Sequence, residues 1–222
     1  MNKRMEFIDF MIKSGALLFG EFKLKSGRTA PYFVNTGNYS SGGKTSKLGE
    51  FYADCLISNH IQFETLFGPA YKGIPLCVSC AAALYGKHHI DVGYCFDRKE
   101  IKDHGEGGVI VGKKLSDGEK VVIIEDVITA GTAIRQVLPV LKAAADVNIT
   151  GMVISVDRME VGTENVTAVK QVKEEFGIDV YSIVNAKDII EYLENIPEGF
   201  AAVENAAEYA LKMREYLVRY GG

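Results

Sequence analysis

The 222-residue sequence has few cysteines, namely Cys55, Cys77, Cys80 and Cys95. Cys77 and Cys80 form one C-x-x-C pair, but the sequence contains no second pair, and the two residues fall within a predicted helix. A structural zinc site needs four ligands, so this pair alone does not indicate one. We therefore expect buried free thiols rather than metal ligands.

The sequence also lacks a long apolar run, a signal-peptide core and an excess of basic residues. No apolar stretch reaches bilayer-spanning length, and acid-containing amphipathic sequence follows residues 1–6. Its 25 Lys and Arg oppose 29 Asp and Glu, a formal net charge of −4, so no basic field indicates nucleic acid. With 47% hydrophobic and 24% charged residues, the composition is typical of a soluble globular protein. We expect a cytoplasmic enzyme without a membrane or nucleic-acid partner.

The most informative stretch is residues 121–133. It opens with four β-branched apolar residues, which predict a strand buried on both faces of a parallel sheet. Glu125 and Asp126 follow where we expect that strand to end, and five small residues come soon after. Residues 134, 137, 138 and 141 are apolar and share one helical face, so a helix is predicted to begin at once.

This strand, turn and helix have the chemistry of a phosphate-binding site. The small residues 129–133 let an anion approach the backbone, and a helix start offers free N–H groups and a favourable dipole. Phosphate would repel Glu125 and Asp126, so we expect these carboxylates to accept hydrogen bonds from sugar hydroxyls. An ordinary turn with a capping threonine is the alternative. The patterns of a Walker A loop and of a dinucleotide fingerprint are both absent.

Two further loops place cations where a polyanion would bind. Lys72 lies in a glycine-bounded loop after a short strand and offers a mobile charge, although a solvated surface lysine fits equally well. Residues 97–108 contain three glycines, three basic residues and His104, with little to bury. We expect a mobile surface loop there, which is either a solvated charged face or a lid over the anion.

Two other charged positions have competing interpretations. Arg158 follows an alternating strand, so we expect it to face the ligand site at the carboxyl end of the sheet. A salt-bridged structural arginine is the alternative. The pair His88-His89 has no acid or cysteine at ligand spacing, and we expect it in a solvated loop rather than at a metal.

Periodicity and turn residues predict the remaining elements. Residues 19–35 read as a hairpin outside the main sheet, and residues 40–44 as a glycine- and serine-rich loop. The other predicted helices are 7–12, 48–56, 76–85, 166–176, 186–193 and 205–219, and the other strands are 65–67, 92–96, 147–156 and 180–184.

Several motifs resemble one known family. VVIIEDVITAGTA (121–133) resembles the phosphoribosyl-pyrophosphate-binding motif of type I phosphoribosyltransferases, and GPAYKGIP (68–75) resembles their pyrophosphate loop. FGEFKLKSGRTAPYF (19–33), RKEIKDHGEGG (98–108) and SVDR (155–158) resemble the hood, catalytic loop and orotate-binding segment of the orotate phosphoribosyltransferases within that family. The resemblance runs from about Phe7 to Leu193.

The resemblance implies a fold and a reaction. The fold is α/β, a central parallel sheet flanked by helices, in one domain of residues 1–222 whose residues 1–40 supply an N-terminal helix and the hood hairpin. The implied enzyme transfers a phosphoribosyl group from phosphoribosyl pyrophosphate to orotate through a ribosyl cation-like transition state, giving orotidine 5′-monophosphate and pyrophosphate. The implied cofactor is Mg²⁺, bound mainly through substrate and water with no direct protein ligand. A homodimer with a shared active site is also implied.

The resemblance further implies which residues form the site. Lys102 and Asp126 are the implied catalytic residues, and Glu125 departs from the aspartate that many orotate enzymes carry. The implied contacts of orotate are Phe33, Val34, Thr129 and Arg158. Those of phosphoribosyl pyrophosphate are Lys25, Tyr71, Lys72, Arg98, Lys99, Lys102, His104, Glu125, Asp126, Val127, Ile128, Thr129, Ala130, Gly131, Thr132 and Ala133.

Two rival functions remain open at this point. The first is a phosphoribosyltransferase for another base, against which the hood and SVDR segments argue. The second is a non-catalytic regulator of the same fold that retains the ligand site. Such a regulator should lack a competent loop, whereas Lys102 and His104 are both present.

Overall fold

A computed structural model of the chain describes residues 2–24, 26–99, 109–128, 132–162 and 165–222. The predicted loop beyond Lys99 lies outside this part of the chain. So do these individual site residues: Lys25, Lys102, His104, Thr129, Ala130 and Gly131. For Thr132 and Ala133 the structure describes the backbone alone, which begins the helix after the central strand.

The N-terminal segment forms a helix and a hairpin outside the main sheet, as predicted. Helix α1 (Lys3–Lys13) buries the apolar face that contains Phe7. Strands β1 (Leu17–Lys23) and β2 (Thr29–Val34) pair antiparallel as a separate two-stranded sheet, which we call the hood. Gly27 in the turn between them has a φ of +81°, a left-handed conformation that favours glycine.

The main sheet confirms the predicted fold class. Its strands are β3 (Thr65–Phe67), β4 (Gly93–Asp97), β5 (Ile110–Gly112), β6 (Lys120–Val127), β7 (Asn148–Asp157) and β8 (Val180–Asn185). In the described residues their order is β5-β4-β3-β6-β7-β8, with β5 antiparallel to β4 and the other pairs parallel. The antiparallel edge strand β5 was not predicted, because its three residues are too short to show a period.

Helices cover both faces of this sheet. Their bounds are α2 (Gly42–Ser58), α3 (Gly73–His88), α4 (Thr132–Ala144), α5 (Ala168–Phe176), α6 (Ala186–Glu194) and α7 (Ala206–Tyr220). Val122 and Ile124 of β6 pack into a core shared with α1, α2, α3, α6 and α7, whereas Val121 and Ile123 pack against α4 and α5. This two-sided burial is what the β-branched run predicts.

The structure corrects three local predictions. Strand β6 continues to Val127, so Glu125 and Asp126 lie inside the strand, near its carboxyl end, rather than after it. The predicted loop 40–44 is wrong, because the Ser41 side chain caps α2 and the helix begins at Gly42. His88 is not in a solvated loop, because it ends α3 and its Nε2 lies 2.9 Å from Asp54 Oδ1.

Candidate active site

The motifs after β3, β6 and β7 converge because these strands are parallel neighbours. β3 pairs with β6, and Val127 of β6 pairs with Val156 of β7. Parallel strands present their carboxyl ends at one edge of a sheet, which is where open α/β sheets bind ligands. Lys72 and Arg158, which follow their strands, and Asp126, next to the last residue of β6, therefore lie at the same edge, which we call the ligand edge.

Asp126 is the most heavily hydrogen-bonded side chain of this edge. Its Oδ2 accepts from Lys72 Nζ at 2.9 Å and from Thr36 Oγ1 at 2.8 Å. Its Oδ1 accepts from the Val127 amide at 2.7 Å, and its backbone oxygen accepts from Ser155 Oγ at 2.5 Å. The Asp126 side chain is 8% exposed, and these contacts fix its carboxylate in one orientation.

Glu125 is buried like Asp126 but has a different set of hydrogen bonds. Its Oε1 accepts from the Asp126 amide at 2.9 Å, and its backbone oxygen accepts from Tyr52 Oη of α2 at 2.7 Å. Burial, and then the neighbouring charge of Asp126, raise the pKa of Glu125 to about 7. Glu125 can therefore exchange a proton near neutral pH.

The loop between β3 and α3 packs tightly against the sheet. A Cβ on Gly68 would lie 2.4 Å from the Gly73 oxygen, and one on Gly73 would lie 2.9 Å from the Ile124 oxygen, so both positions require glycine. Asp97 at the end of β4 accepts from the Ala70 amide at 2.6 Å and holds the loop from the other side. These contacts fix the backbone that carries Lys72 while its side chain stays 66% exposed.

Arg158 lies one residue beyond β7, and its guanidinium group is contacted along one edge and on one face. Its Nε donates to Glu160 Oε1 at 2.8 Å, and its Nη2 lies 2.6 Å from the same oxygen. The guanidinium carbon stands 4.5 Å from the ring centroid of Tyr32 in β2, a cation–π contact. The ion pair with Glu160 is what a salt-bridged structural arginine would show. Because it uses the Nε edge of the guanidinium, the prediction that Arg158 faces a ligand is compatible with it.

The hood strand connects the two halves of the ligand edge. Tyr32 lies in β2 beneath Arg158, and Thr36, just past the end of β2, donates to Asp126. One short segment therefore contacts both the acid near the end of β6 and the arginine after β7. Through these contacts the hood packs against the ligand edge.

Comparison with known proteins agrees with this geometry. The phosphoribosyl transferase domain family matches residues 38–189. An orotate phosphoribosyltransferase of Clostridium beijerinckii is 49% identical over 219 residues, which cover 98% of this chain and 97% of the relative. The chain belongs to the orotate phosphoribosyltransferase family.

Two further members of the family support this assignment. The Bifidobacterium adolescentis relative is 48% identical over 222 residues, covering 97% of this chain and 96% of its own length. The crystal structure of the Francisella tularensis orotate phosphoribosyltransferase has a TM-score of 0.85 at 37% identity, covering 98% of this chain and all of that one. The predicted family and fold are thereby confirmed.

The remaining predicted site residues take varied positions within the family fold. Phe33 is partly exposed and stacks on Phe22 of the hood, with ring centroids 5.5 Å apart. Tyr71 is 69% exposed, and a cis peptide bond joins it to Ala70. Val34 packs on the core, Ile128 is buried, Val127 and Arg98 are half-buried, and Lys99 is exposed. Their assigned roles stay predictions.

Sequence reasoning missed five side chains that organise this site. Four of them contact residues that are distant in the sequence, and the fifth, Glu160, contacts Arg158 through a reversal of the chain. They are Tyr32, Thr36, Tyr52, Asp97 and Glu160. For Thr36, the one available sequence signal was its position just after the hood strand. The sequence held no such signal for the other four residues.

The described part of the chain contains no group of three or more His, Cys, Asp or Glu side chains that could hold a metal ion. No helix in it is long and apolar enough to cross a membrane. All four cysteines are free and buried, as predicted.

Proposed function

We propose that the chain transfers the 5-phosphoribosyl group from phosphoribosyl pyrophosphate to orotate in pyrimidine biosynthesis. The products are orotidine 5′-monophosphate and pyrophosphate. Membership of the orotate phosphoribosyltransferase family gives the reaction class. The observation that carries the proposal is that Tyr32 of β2 and Thr36 just past its end contact Arg158 and Asp126, so a carboxylate partner and a sugar-hydroxyl acceptor share one edge.

The β6 side of the edge suits the phosphoribosyl group. Asp126 presents a nearly buried acceptor that Lys72 and Thr36 occupy without ligand, and ribose hydroxyls are donors of the same kind. Releasing Lys72 from Asp126 would free its charge for the pyrophosphate. Charge builds on that leaving group as its bond to the ribose breaks, so a cation there stabilises the transition state more than the ground state.

The β7 side of the edge suits orotate. Orotate carries a carboxylate, and a guanidinium pairs with planar acceptors through parallel N–H groups. Arg158 is already oriented by Glu160 and Tyr32, so little rotamer freedom remains to be lost on binding. Phe33, the residue after Tyr32 on β2, is exposed and has an aromatic face that a pyrimidine ring could contact.

Mg²⁺ is part of the proposal as an ion bound mainly through substrate oxygens and water. Glu125 and Asp126 are the acidic residues nearest to the proposed phosphoribosyl position, and they are already hydrogen-bonded to backbone amides. This donor set fits Mg²⁺, which keeps several waters and commonly uses one or two carboxylates plus phosphates. When bound, the ion neutralises charge on the leaving pyrophosphate.

A base-exchange panel tests the proposed function. The purified chain is incubated with phosphoribosyl pyrophosphate, Mg²⁺ and orotate, uracil, adenine or hypoxanthine in turn, and nucleotide products are separated by chromatography. We expect orotidine 5′-monophosphate from orotate and far slower product formation from the other bases. Equal or better use of a purine would contradict the proposal, and no product from any base would favour the regulator.

We further propose that the enzyme is a homodimer. One face of α3 is exposed and apolar over about three turns, and Tyr71 lies just before the helix start. Its members are Tyr71, Pro75, Val78, Ala82 and Tyr85, spaced by three and four residues. An exposed apolar stripe of this kind marks an association surface. Because Tyr71 adjoins Lys72, a partner docked there would lie next to the ligand edge.

Subunit complementation tests whether the two sites are shared. Asp126→Asn damages the sheet half of a site and Lys102→Ala damages the loop half, so each homodimer should be nearly inactive. After exchange, a mixed dimer would combine one intact sheet half with one intact loop half. An equal mixture should then recover roughly a quarter of wild-type activity. If mass spectrometry verifies exchange and no activity returns, each loop serves its own chain.

Domain organisation and location complete the proposal. We propose one domain for residues 1–222, since α1, α2 and α3 share a continuous core with α6 and α7. We propose a cytoplasmic location, since four buried free thiols are typical of a reducing compartment.

A further inference from the structure

The backbone after β7 folds back on itself in an uncommon way. Asp157 Oδ1 accepts from the Met159 amide at 2.8 Å, and Met159 has a φ of +56°. A left-handed conformation is unfavourable for a long unbranched side chain, so surrounding contacts must maintain it. Its result is that Glu160, two residues after Arg158, meets the Arg158 guanidinium.

Glu160 lies between two arginines. Its Oε1 contacts Nε and Nη2 of Arg158, and its Oε2 lies 3.8 Å from Nη1 of Arg28 in the hood turn. The Arg158 and Glu160 side chains are 11% and 16% exposed. Two guanidiniums and one carboxylate give the cluster a formal charge of +1. This charge matches one anionic substrate carboxylate.

The turn that carries Glu160 is anchored from two directions. The Val161 amide donates to the Tyr220 oxygen at 2.8 Å, and the Gly222 amide donates to the Met159 oxygen at 3.1 Å. Arg28 Nη1 donates to the Val161 oxygen at 3.0 Å. The end of α7 and the hood turn thus hold the same three residues and keep Glu160 in place.

We propose that Glu160 is a positioning residue for orotate, which orients Arg158 through its Nε edge and balances the charge of Arg28. The inference rests on the proposed function, because it assigns Glu160 a role through the orotate-binding arginine. Without Glu160, two guanidiniums share a poorly solvated space, and Arg158 loses the acceptor that fixes its rotation. Its substrate-facing N–H groups are then no longer presented in one direction.

Steady-state kinetics of Glu160→Ala and Glu160→Gln test this role. Glu160→Ala should raise the KM for orotate roughly tenfold or more, the effect of losing a charged hydrogen bond. Glu160→Gln should raise it less, roughly threefold, since its amide oxygen still accepts from Arg158 Nε. The KM for phosphoribosyl pyrophosphate and kcat should stay within about twofold in both. Glu160→Gln decides the matter if Glu160→Ala does not fold.

Glu215 provides a matched control. It is an exposed glutamate of α7 on the groove beside Arg28, and none of its described contacts reaches Arg158. Glu215→Ala and Glu215→Gln should leave both KM values unchanged. A purely structural Glu160 would lower the melting temperature and total activity without a selective change in the KM for orotate, and that result would overturn the inference.

A double-mutant cycle separates this inference from the proposed function. If Glu160 acts through Arg158, adding Glu160→Ala to Arg158→Ala should change the KM for orotate by less than about twofold. Full additivity would overturn the inference while leaving the function intact. If wild-type protein forms no orotidine 5′-monophosphate, the proposed function itself fails. If Arg158→Ala spares orotate while wild type is active, the assignment of Arg158 fails and the inference with it.

Discussion

Two cations at the ligand edge are held in opposite ways. The Lys72 side chain is 66% exposed and its charge meets Asp126 at one point, whereas the Arg158 side chain is 11% exposed and is fixed on an edge and a face. A mobile point charge suits a flexible pyrophosphate on which charge develops, and a rigid fork suits a small planar acid. If the proposed assignment of the two halves holds, the fold prepares the base half of the site in advance and leaves the phosphate half adjustable.

The largest expected effect comes from breaking the rigid half. Arg158→Ala should weaken orotate by about 2 kcal/mol or more, roughly thirtyfold, because a partly buried carboxylate loses its charged partner. Binding titrations should show a much smaller change for phosphoribosyl pyrophosphate. Circular dichroism and the melting temperature check that the fold survives with Glu160 left beside Arg28. Equal losses for both substrates would count against the assignment.

The two neighbouring acids, Glu125 and Asp126, also differ from each other, because burial raises the pKa of Glu125. Below pH 4.5 it is protonated in both folded and unfolded chains, and its burial carries no ionic penalty. As the pH rises towards about 7, the unfolded chain loses this proton first, so wild-type stability falls over that window. Burial is the larger cause, with Asp126 raising the pKa further and Lys72 opposing it.

Glu125→Gln should remove this penalty. We expect the variant to gain roughly 1–3 kcal/mol of unfolding free energy over wild type at pH 8 and much less at pH 5. Thermal unfolding across that range measures the difference. A gain that does not depend on pH would show that Glu125 does not titrate there, and that packing alone distinguishes the two variants.

Breaking the adjustable half should have a smaller effect on a different substrate. Lys72→Ala should raise the KM for phosphoribosyl pyrophosphate and lower kcat by a combined factor of roughly ten, since an exposed charge is partly screened. The KM for orotate should hardly change, and Lys72→Arg should retain much of the activity. A selective loss for orotate would reverse the proposed division of the site.

Lys113 is the control for Lys72. It also pairs with a buried acid, Glu119, but just before the opposite end of β6. Lys113→Ala should lower the melting temperature, because Glu119 loses its partner, and should leave both KM values unchanged. The two lysines thus separate a binding role from a structural one at the two ends of the same strand.

How much of this site was predictable depends on how local each signal is. The burial of Val121 to Ile124 and the face of α4 follow from spacing alone, and the structure confirms both, whereas the acids expected after β6 lie within it. Thr36 and Asp126 are 90 residues apart, so no local pattern joins them. The position of Glu160 depends on the left-handed conformation of Met159, which no sequence pattern predicts. Gly42 and Gly43 were predicted as loop, yet the Ser41 cap starts the helix there.

The smallest expected effect tests Thr36, which lies just past the hood strand β2 and contacts the β6 half of the edge. Thr36→Val keeps the shape of the side chain but removes the hydroxyl that donates to Asp126 Oδ2 at 2.8 Å. Lys72 and the Val127 amide still hold that carboxylate, so its orientation should loosen rather than fail. We expect kcat/KM for phosphoribosyl pyrophosphate to fall roughly fivefold, about 1 kcal/mol, while the KM for orotate stays within twofold.

Thr36→Ser, which retains the hydroxyl, should behave like wild type. If Thr36→Val keeps the wild-type kcat/KM while Thr36→Ser loses it, the Thr36 methyl group matters and the hydrogen bond does not. If only the KM for orotate changes, the hood serves the Arg158 half alone, and the two halves are not coupled through β2.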